Sequence, residues 1–179
     1  MRAKDDFLLI LDFLPHGKPG ERRAEPVAQG LGENFLSLLE VVVREGVTLK
    51  PKQKVYIGAD RREEVKYIKG RISYEELTSF ARETLKEVVE ELVQKNEKRF
   101  VEFFNTSGPI TTRFHSLELL PGIGKKHMWE IIKQRKQKKF ESFAELQQRI
   151  GMLPDPKRIL VQRILKELQG KDRFKVFVA

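Results

Sequence analysis

Apolar and polar positions follow two different rhythms along this chain, and the change between them falls near Ser73. Before it, Phe7 to Leu14 is an apolar run interrupted by Asp12, and Phe35 to Val43 is a second one broken by Ser37 and Glu40. Lys54 to Gly58 and Val65 to Ile72 supply two more. Short apolar runs bounded by turn residues read as strands. Turn formers separate them: Pro15 to Gly20, Gly30 with Gly32, Gly46 with Pro51, and Asp60-Arg61-Arg62. With a further short strand at Pro26 to Gln29, residues 1–73 hold about five strands, the size and count of a small OB-like β-barrel.

After Ser73 the period lengthens. Ser73-Tyr74-Glu75-Glu76 has capping-box spacing, and Leu77, Phe80, Ala81, Leu85, Val88 and Leu92 recur every three or four residues. This predicts one amphipathic helix with an acidic outer face, linking the barrel to a second module. Arg99 to Phe104 continues the core as a short helix or strand, and the turn cluster Asn105 to Pro109 closes a linking region over residues 74–109. From residue 110 the pattern is helix, tight turn, helix. Arg113 to Leu120 forms the first helix, Pro121-Gly122-Ile123-Gly124 the turn, and Lys125 to Arg135 the second, with Met128, Trp129, Ile131 and Ile132 apolar. Ser142-Phe143-Ala144-Glu145 caps another short helix. Asp155 as N-cap, Pro156 at the first position and Gly170 as stop delimit a helix through Gln169. The alternation in Arg173 to Val178 predicts a closing edge strand.

The Pro121 to Gly124 turn carries the candidate chemistry. Glycine allows tight backbone conformations and close approach of a ligand to the main chain. A helix that starts at Lys125 presents free N–H groups and the positive end of its dipole, which together attract anions. Lys125 and Lys126 in a first helical turn oppose that dipole, so their presence points to a phosphate completing the site. The segment Leu117 to Arg135 resembles the helix-hairpin-helix superfamily, whose hairpin reads Leu-Pro-Gly-Ile-Gly followed by Lys. The resemblance implies phosphate binding through Gly122, Gly124, Lys125 and Lys126, with little regard for base sequence, and makes Ile123 a core plug. It also implies a second hairpin, where Gly151 to Pro156 stands. There Asp155 replaces a glycine, which leaves that turn a structural role and Lys157 and Arg158 as its contacts. Lys133 extends the set as a peripheral phosphate contact, in a cluster with Arg135, Lys136, Lys138 and Lys139. The chain as a whole resembles an archaeal family of unknown function described as predicted RNA-binding proteins.

The fold class expected is therefore α+β: an OB-like barrel over residues 1–73, linking helices over 74–109, and an all-α tandem helix-hairpin-helix domain over 110–179. Charge agrees with this placement. The net charge is +9, and residues 97–179, with 18 Lys/Arg against 9 Asp/Glu, carry an excess equal to the whole of it. Residues 1–73 hold 14 against 11, and residues 74–96 hold 3 against 6. A basic excess gathered on one region is what a polyanion-binding surface requires. No apolar run reaches the ~20 residues that cross a bilayer, and the acidic start before Phe7 lacks the layout of a secretory signal, so a cytoplasmic protein without membrane partners is expected. With no cysteine, disulfides and thiolate chemistry are excluded.

An enzyme is not expected. His16, His115 and His127 are scattered, so no metal site is assigned, and neither a cofactor nor a small-molecule substrate is indicated. Asp5 and Asp6 are adjacent and point apart on a strand, and Asp12 lies in an apolar run, so no paired carboxylates assemble. No Asp stands between Gly124 and Asp155, where a helix-hairpin-helix glycosylase carries its catalytic one. Phe7, Phe13, Phe35, Tyr56 and Tyr67 read as barrel core rather than as stacking positions. The expected partner is the RNA or DNA backbone, RNA being favoured by the wider resemblance. The alternatives are a DNA repair or replication accessory, and an adaptor docking on a larger nucleoprotein through the barrel.

Overall fold

The computed structural model describes residues 4–179. Residues up to Val88 together with Lys166–Ala179 form one compact unit, and Val89–Leu165 form a second.

The first unit is built on strands β1 (Phe7–Leu14), β2 (Val27–Gly32), β3 (Leu38–Val43), β4 (Lys54–Tyr56) and β5 (Val65–Arg71), in the sheet order β4-β1-β2-β3-β5. Every neighbouring pair is antiparallel. The expected strands are thus present, the short one near Pro26 included, but the closed OB-like barrel is not. The sheet is an open half-barrel that ends at β4 and β5, and a cavity of about 600 Å³, lined in part by Ile57, Gly58, Arg62, Ile68 and Arg71, includes residues that come after β4 and residues on β5.

Alternation places Leu8, Ile10, Ala28, Leu39, Val41, Val55 and Val65 in one apolar cluster. The central strands β2 and β3 are buried along their whole length, as expected for strands covered on both faces. Glu40 is therefore a carboxylate inside the sheet. Lys18 at 2.5 Å and Lys69 at 3.3 Å compensate it, with the Gln29 amide at 3.3 Å. Register shifts between Ile10 and Asp12, a bulge that turns Asp12 toward Thr78, whose hydroxyl donates to it at 2.6 Å.

Ser73 and Glu76 form the expected capping box, but on a single 3-10 turn at Tyr74–Glu76. Helix α1 starts later, at Ser79, and runs to Lys95. Thr78 starts it, accepting from the Ala81 amide at 3.0 Å. Leu77, Ala81, Leu85, Val88 and Leu92 are buried as the spacing predicts, whereas Phe80 is 49% exposed and leaves the stripe. At the chain end, Arg173 to Val178 is irregular rather than an edge strand. The buried Glu167 carboxylate fixes it by accepting from the amides of Val176, Phe177 and Val178 at 2.8, 2.9 and 3.2 Å.

The second unit contains the end of α1, then α2 (Glu97–Thr106), a ribbon of β6 (Pro109–Thr111) and β7 (Phe114–His115), then α3 (Lys125–Gln137), α4 (Phe143–Arg149) and α5 (Pro156–Leu168) up to Leu165. The all-α tandem helix-hairpin-helix domain is overturned by this ribbon. Where Arg113 to Leu120 was expected as an α-helix, the chain forms β7 and a 3-10 turn, Ser116–Leu119. The cause is a set of bonds that local spacing does not show. The Ser116 hydroxyl and amide both donate to Gly108 O, at 2.7 and 3.0 Å, and the Leu117 amide donates to His115 Nδ1 at 3.1 Å.

The later helices keep their predicted starts and stops. Ser142 Oγ accepts from the Glu145 amide at 3.0 Å to open α4. Pro156 opens α5, and Gly170, at φ +70, ends it. Among the described residues, no helix is long and apolar enough to cross a membrane.

Candidate nucleic-acid interface

The turn before α3 is set by its sequence. Gly122 has φ +81, a left-handed conformation that side chains oppose, and a Cβ there would sit 3.0 Å from Pro154 Cγ. Pro154, in the Gly151 to Asp155 turn, thus leaves little room for a side chain at this position. Gly124 differs from expectation. Its φ of −98 and ψ of −170 suit any residue, and a Cβ would meet nothing within 4 Å. What its missing side chain does is leave α3 without a side-chain N-cap, so the amides of the first turn face outward with no side-chain acceptor. Ile123 is buried, as a core plug should be.

Of the expected phosphate contacts, the structure separates free cations from engaged ones. Lys125 is exposed, but its ammonium is 2.9 Å from Glu118 Oε1 and donates to Arg113 O at 3.0 Å. The Glu118 carboxylate also accepts from the His115 amide at 2.8 Å. That amide first, and Lys125 second, hold the Glu118 carboxyl below the usual carboxylate range. The partner that completes Lys125 is therefore a carboxylate of the same unit. Burial first, and the Arg135 charge second, keep the neighbouring His115 imidazole below its ordinary value. Lys126 and Lys133 are exposed and carry no ion pair or hydrogen bond to the described residues. Lys157 is half-buried, with its ammonium donating to Gln94 on α1 at 2.7 Å. Arg158 is exposed. Asp155 accepts from the Lys157 amide at 3.1 Å, the structural role expected of the second turn.

The peripheral basic cluster divides in the same way. The Arg135 guanidinium is withdrawn onto the end of α2, donating to Ser107 O at 2.8 Å and Phe104 O at 3.2 Å. Lys139 is loosely paired with Glu102 at 4.0 Å, while Lys136 and Lys138 are exposed. Arg149 was not among the expected functional or structural cations, yet it closes the far end of α3. It donates to Gln134 O and Lys138 O, each at 2.7 Å, and lies 4.2 Å from the Phe140 ring.

At 3.6 residues per turn, Lys125, Lys136, Trp129, Lys133 and Lys126 fall in that order on one arc of α3, about 100° wide. Glu130, the helix's one carboxylate, lies just outside it. Trp129 was expected in the apolar stripe with Met128, Ile131 and Ile132. Met128 and Ile131 are buried, but Trp129 is 63% exposed and stands among the lysines. The apolar count of α3 hid this, because tryptophan reads as core in any hydropathy pattern.

The strand aromatics have local roles. Phe7 and Tyr56 meet edge to face at 5.5 Å, and exposed Tyr67 donates to Glu25 at 2.9 Å. Asp5 accepts from the amides of Asn34 and Phe35, at 2.7 and 2.8 Å, and so anchors the turn between β2 and β3.

Residues 4–179 match a family described as "Protein of unknown function (DUF655)". The chain is 45% identical, over 176 residues, to "Uncharacterized protein MJ0038" of Methanocaldococcus jannaschii, covering 97% of this chain and 80% of that protein. It is also similar to the crystal structure of Af1531 from Archaeoglobus fulgidus. That likeness has 43% identity and a TM-score of 0.86, and covers 98% of this chain and all of the other.

Proposed function

Starting from a chain that belongs to the archaeal family described as "Protein of unknown function (DUF655)", we propose that it binds nucleic acid through the phosphate backbone, using the Pro121 to Gly124 turn and the lysine arc of α3. The observation that carries this reading is the conjunction of an uncapped α3 N-terminus with Lys126, Lys133 and Lys136 exposed along one face of the same helix. Outward amides and unpaired ammonium groups on a rigid element suit phosphate oxygens and read no base edge, so sequence preference is weak. The helix-hairpin-helix likeness of Leu117 to Lys126 supports the same role in its turn, although the element before the turn is a strand and a 3-10 turn. Lys125 acts as a reserve cation, released from Glu118 when a phosphate takes its place, and Arg158 adds a contact at the adjoining turn. RNA is the preferred polymer on the wider sequence resemblance, and no catalytic step is assigned.

Fluorescence anisotropy with labelled single-stranded RNA, double-stranded RNA and double-stranded DNA tests this. The wild type is expected to bind at least one of them in a salt-sensitive manner. Lys126→Ala/Lys133→Ala, both on the surface, is expected to weaken binding about tenfold or more while leaving the fold intact. Failure of the wild type to bind any of the three overturns the reading.

A further inference from the structure

We infer that the indole of Trp129 is a stacking platform for an unpaired nucleobase, which makes the substrate class of the α3 face single-stranded or looped nucleic acid rather than continuous duplex. This rests on the backbone-binding reading above and goes beyond it, because phosphate contacts alone do not distinguish the two.

Three observations converge. Trp129 is 63% exposed, while its neighbours Met128 and Ile131 are buried, so the ring is not a poorly covered part of the core but the opposite side of the helix. Lys126 stands three positions before it and Lys133 four positions after it, the spacings that make side chains neighbours on a helix surface, and Lys136 lies on the same arc. Finally, the ring has no aromatic or cationic partner among the described residues. Elsewhere in the chain arginines lie over Tyr74, Phe140 and Phe174 at 5.2, 4.2 and 4.6 Å, whereas no cation lies over this ring among the described residues.

A planar apolar ring with ammonium groups about one helical turn away on each side matches a ligand that alternates planar rings and anions. A nucleotide strand supplies both in every repeat, and its bases are open to stacking only when they are unpaired. An acidic peptide would neutralise the lysines without using the ring. A membrane surface would require several apolar side chains on the face, and here Trp129 stands alone among Lys125, Lys126, Lys133 and Lys136.

Trp129 is the only tryptophan, so its emission reports on this site in the native chain. The full chain is titrated with labelled oligo(U), oligo(dT), an abasic oligomer of equal length and a matched duplex, recording Trp emission and label anisotropy together. Both single strands are expected to quench the emission, and the abasic strand to bind more weakly with little quenching. Trp129→Ala is expected to weaken single-strand binding about tenfold, with abasic and duplex binding within twofold of wild type and Trp129→Phe intermediate. The relative strength of oligo(U) and oligo(dT) distinguishes RNA from DNA. Unchanged emission, with Trp129→Ala equal to wild type on single strands that still bind, overturns the stacking and leaves the phosphate site standing. Absence of any anisotropy change overturns both, as does quenching by a Glu-rich peptide alone.

Discussion

Glu118 decides how much of the lysine pair at the α3 entrance is available. It holds Lys125 at 2.9 Å and the His115 amide at 2.8 Å, so the same carboxylate fixes the turn and occupies a cation that a phosphate would use. Glu118→Gln keeps the shape and removes the charge. It is expected to raise oligonucleotide affinity several-fold, since Lys125 is freed, and to lower unfolding stability by about 1 kcal/mol through the weakened hydrogen bonds. Anisotropy and urea titration of the one variant read the two effects separately.

His115 adds a pH dependence at the same place. Its Nδ1 accepts from the Leu117 amide, which requires the neutral ring, and burial holds its pKa below the ordinary 6.5. The unfolded chain therefore takes up that proton first, so stability is complete above about pH 6.5 and declines as pH falls through the window below it. Glu118, also lowered in the folded state, contributes fully above its unfolded value of 4.5 and is lost further down. Thermal melts from neutral to acid pH are expected to fall in two stages, with the first absent in His115→Gln.

At the scale of the element, α3 has unequal ends. Its C-terminus is closed by the Arg149 fork, which donates from Nη2 to Gln134 O and Lys138 O at 2.7 Å each and from Nη1 to Glu145 at 3.0 Å. An ammonium cannot reproduce that fork, so Arg149→Lys is expected to cost roughly 2 kcal/mol in urea unfolding. The N-terminus stands open because Gly124 provides no cap, in a backbone conformation that would accept one. Gly124→Asp is expected to gain a few tenths of a kcal/mol in stability by capping the helix, yet to weaken oligonucleotide binding about tenfold by placing a carboxylate at the entrance. Opposite signs in melting and anisotropy would identify the open end as functional; a loss of both would assign Gly124 a purely structural role.

Elements whose determinants are local are legible in the sequence. The strands, the starts of α3, α4 and α5, and the glycine stop after α5 are written in short-range periodicity and capping chemistry. The segment from Arg113 to Leu120 reads as a helix because its leucine spacing fits one. The bonds from Ser116 to Gly108 and from Leu117 to His115 instead commit it to a ribbon and a 3-10 turn. Barrel closure fails for a similar reason, since alternation identifies strands but not whether the outer two meet. The candidate site is legible in its glycine turn and its basic residues. The withdrawal of Lys125, Lys157 and Arg135 onto internal acceptors, and the exposure of Trp129, depend on partners distant in sequence or on which face of α3 turns outward.

For the whole molecule, the charge asymmetry becomes a measurable property. Residues 97–179 carry 18 Lys/Arg against 9 Asp/Glu, but the proposed phosphate track draws mainly on the few exposed, unpaired cations of the α3 arc. On this proposal binding depends on few contacts rather than on net charge, and its salt dependence counts them. The most direct measurement is the slope of log affinity against log salt for a single-stranded oligonucleotide, compared between wild type and the charge-reversed Lys126→Glu/Lys133→Glu, both confirmed folded by circular dichroism. Each single-strand phosphate contact contributes about −0.7 to that slope, so losing these two is expected to make it shallower by roughly 1.4 and to lower affinity at low salt. Equal slopes and affinities for the two proteins, or no binding by the wild type, would contradict the assignment of the α3 face as the phosphate-binding surface.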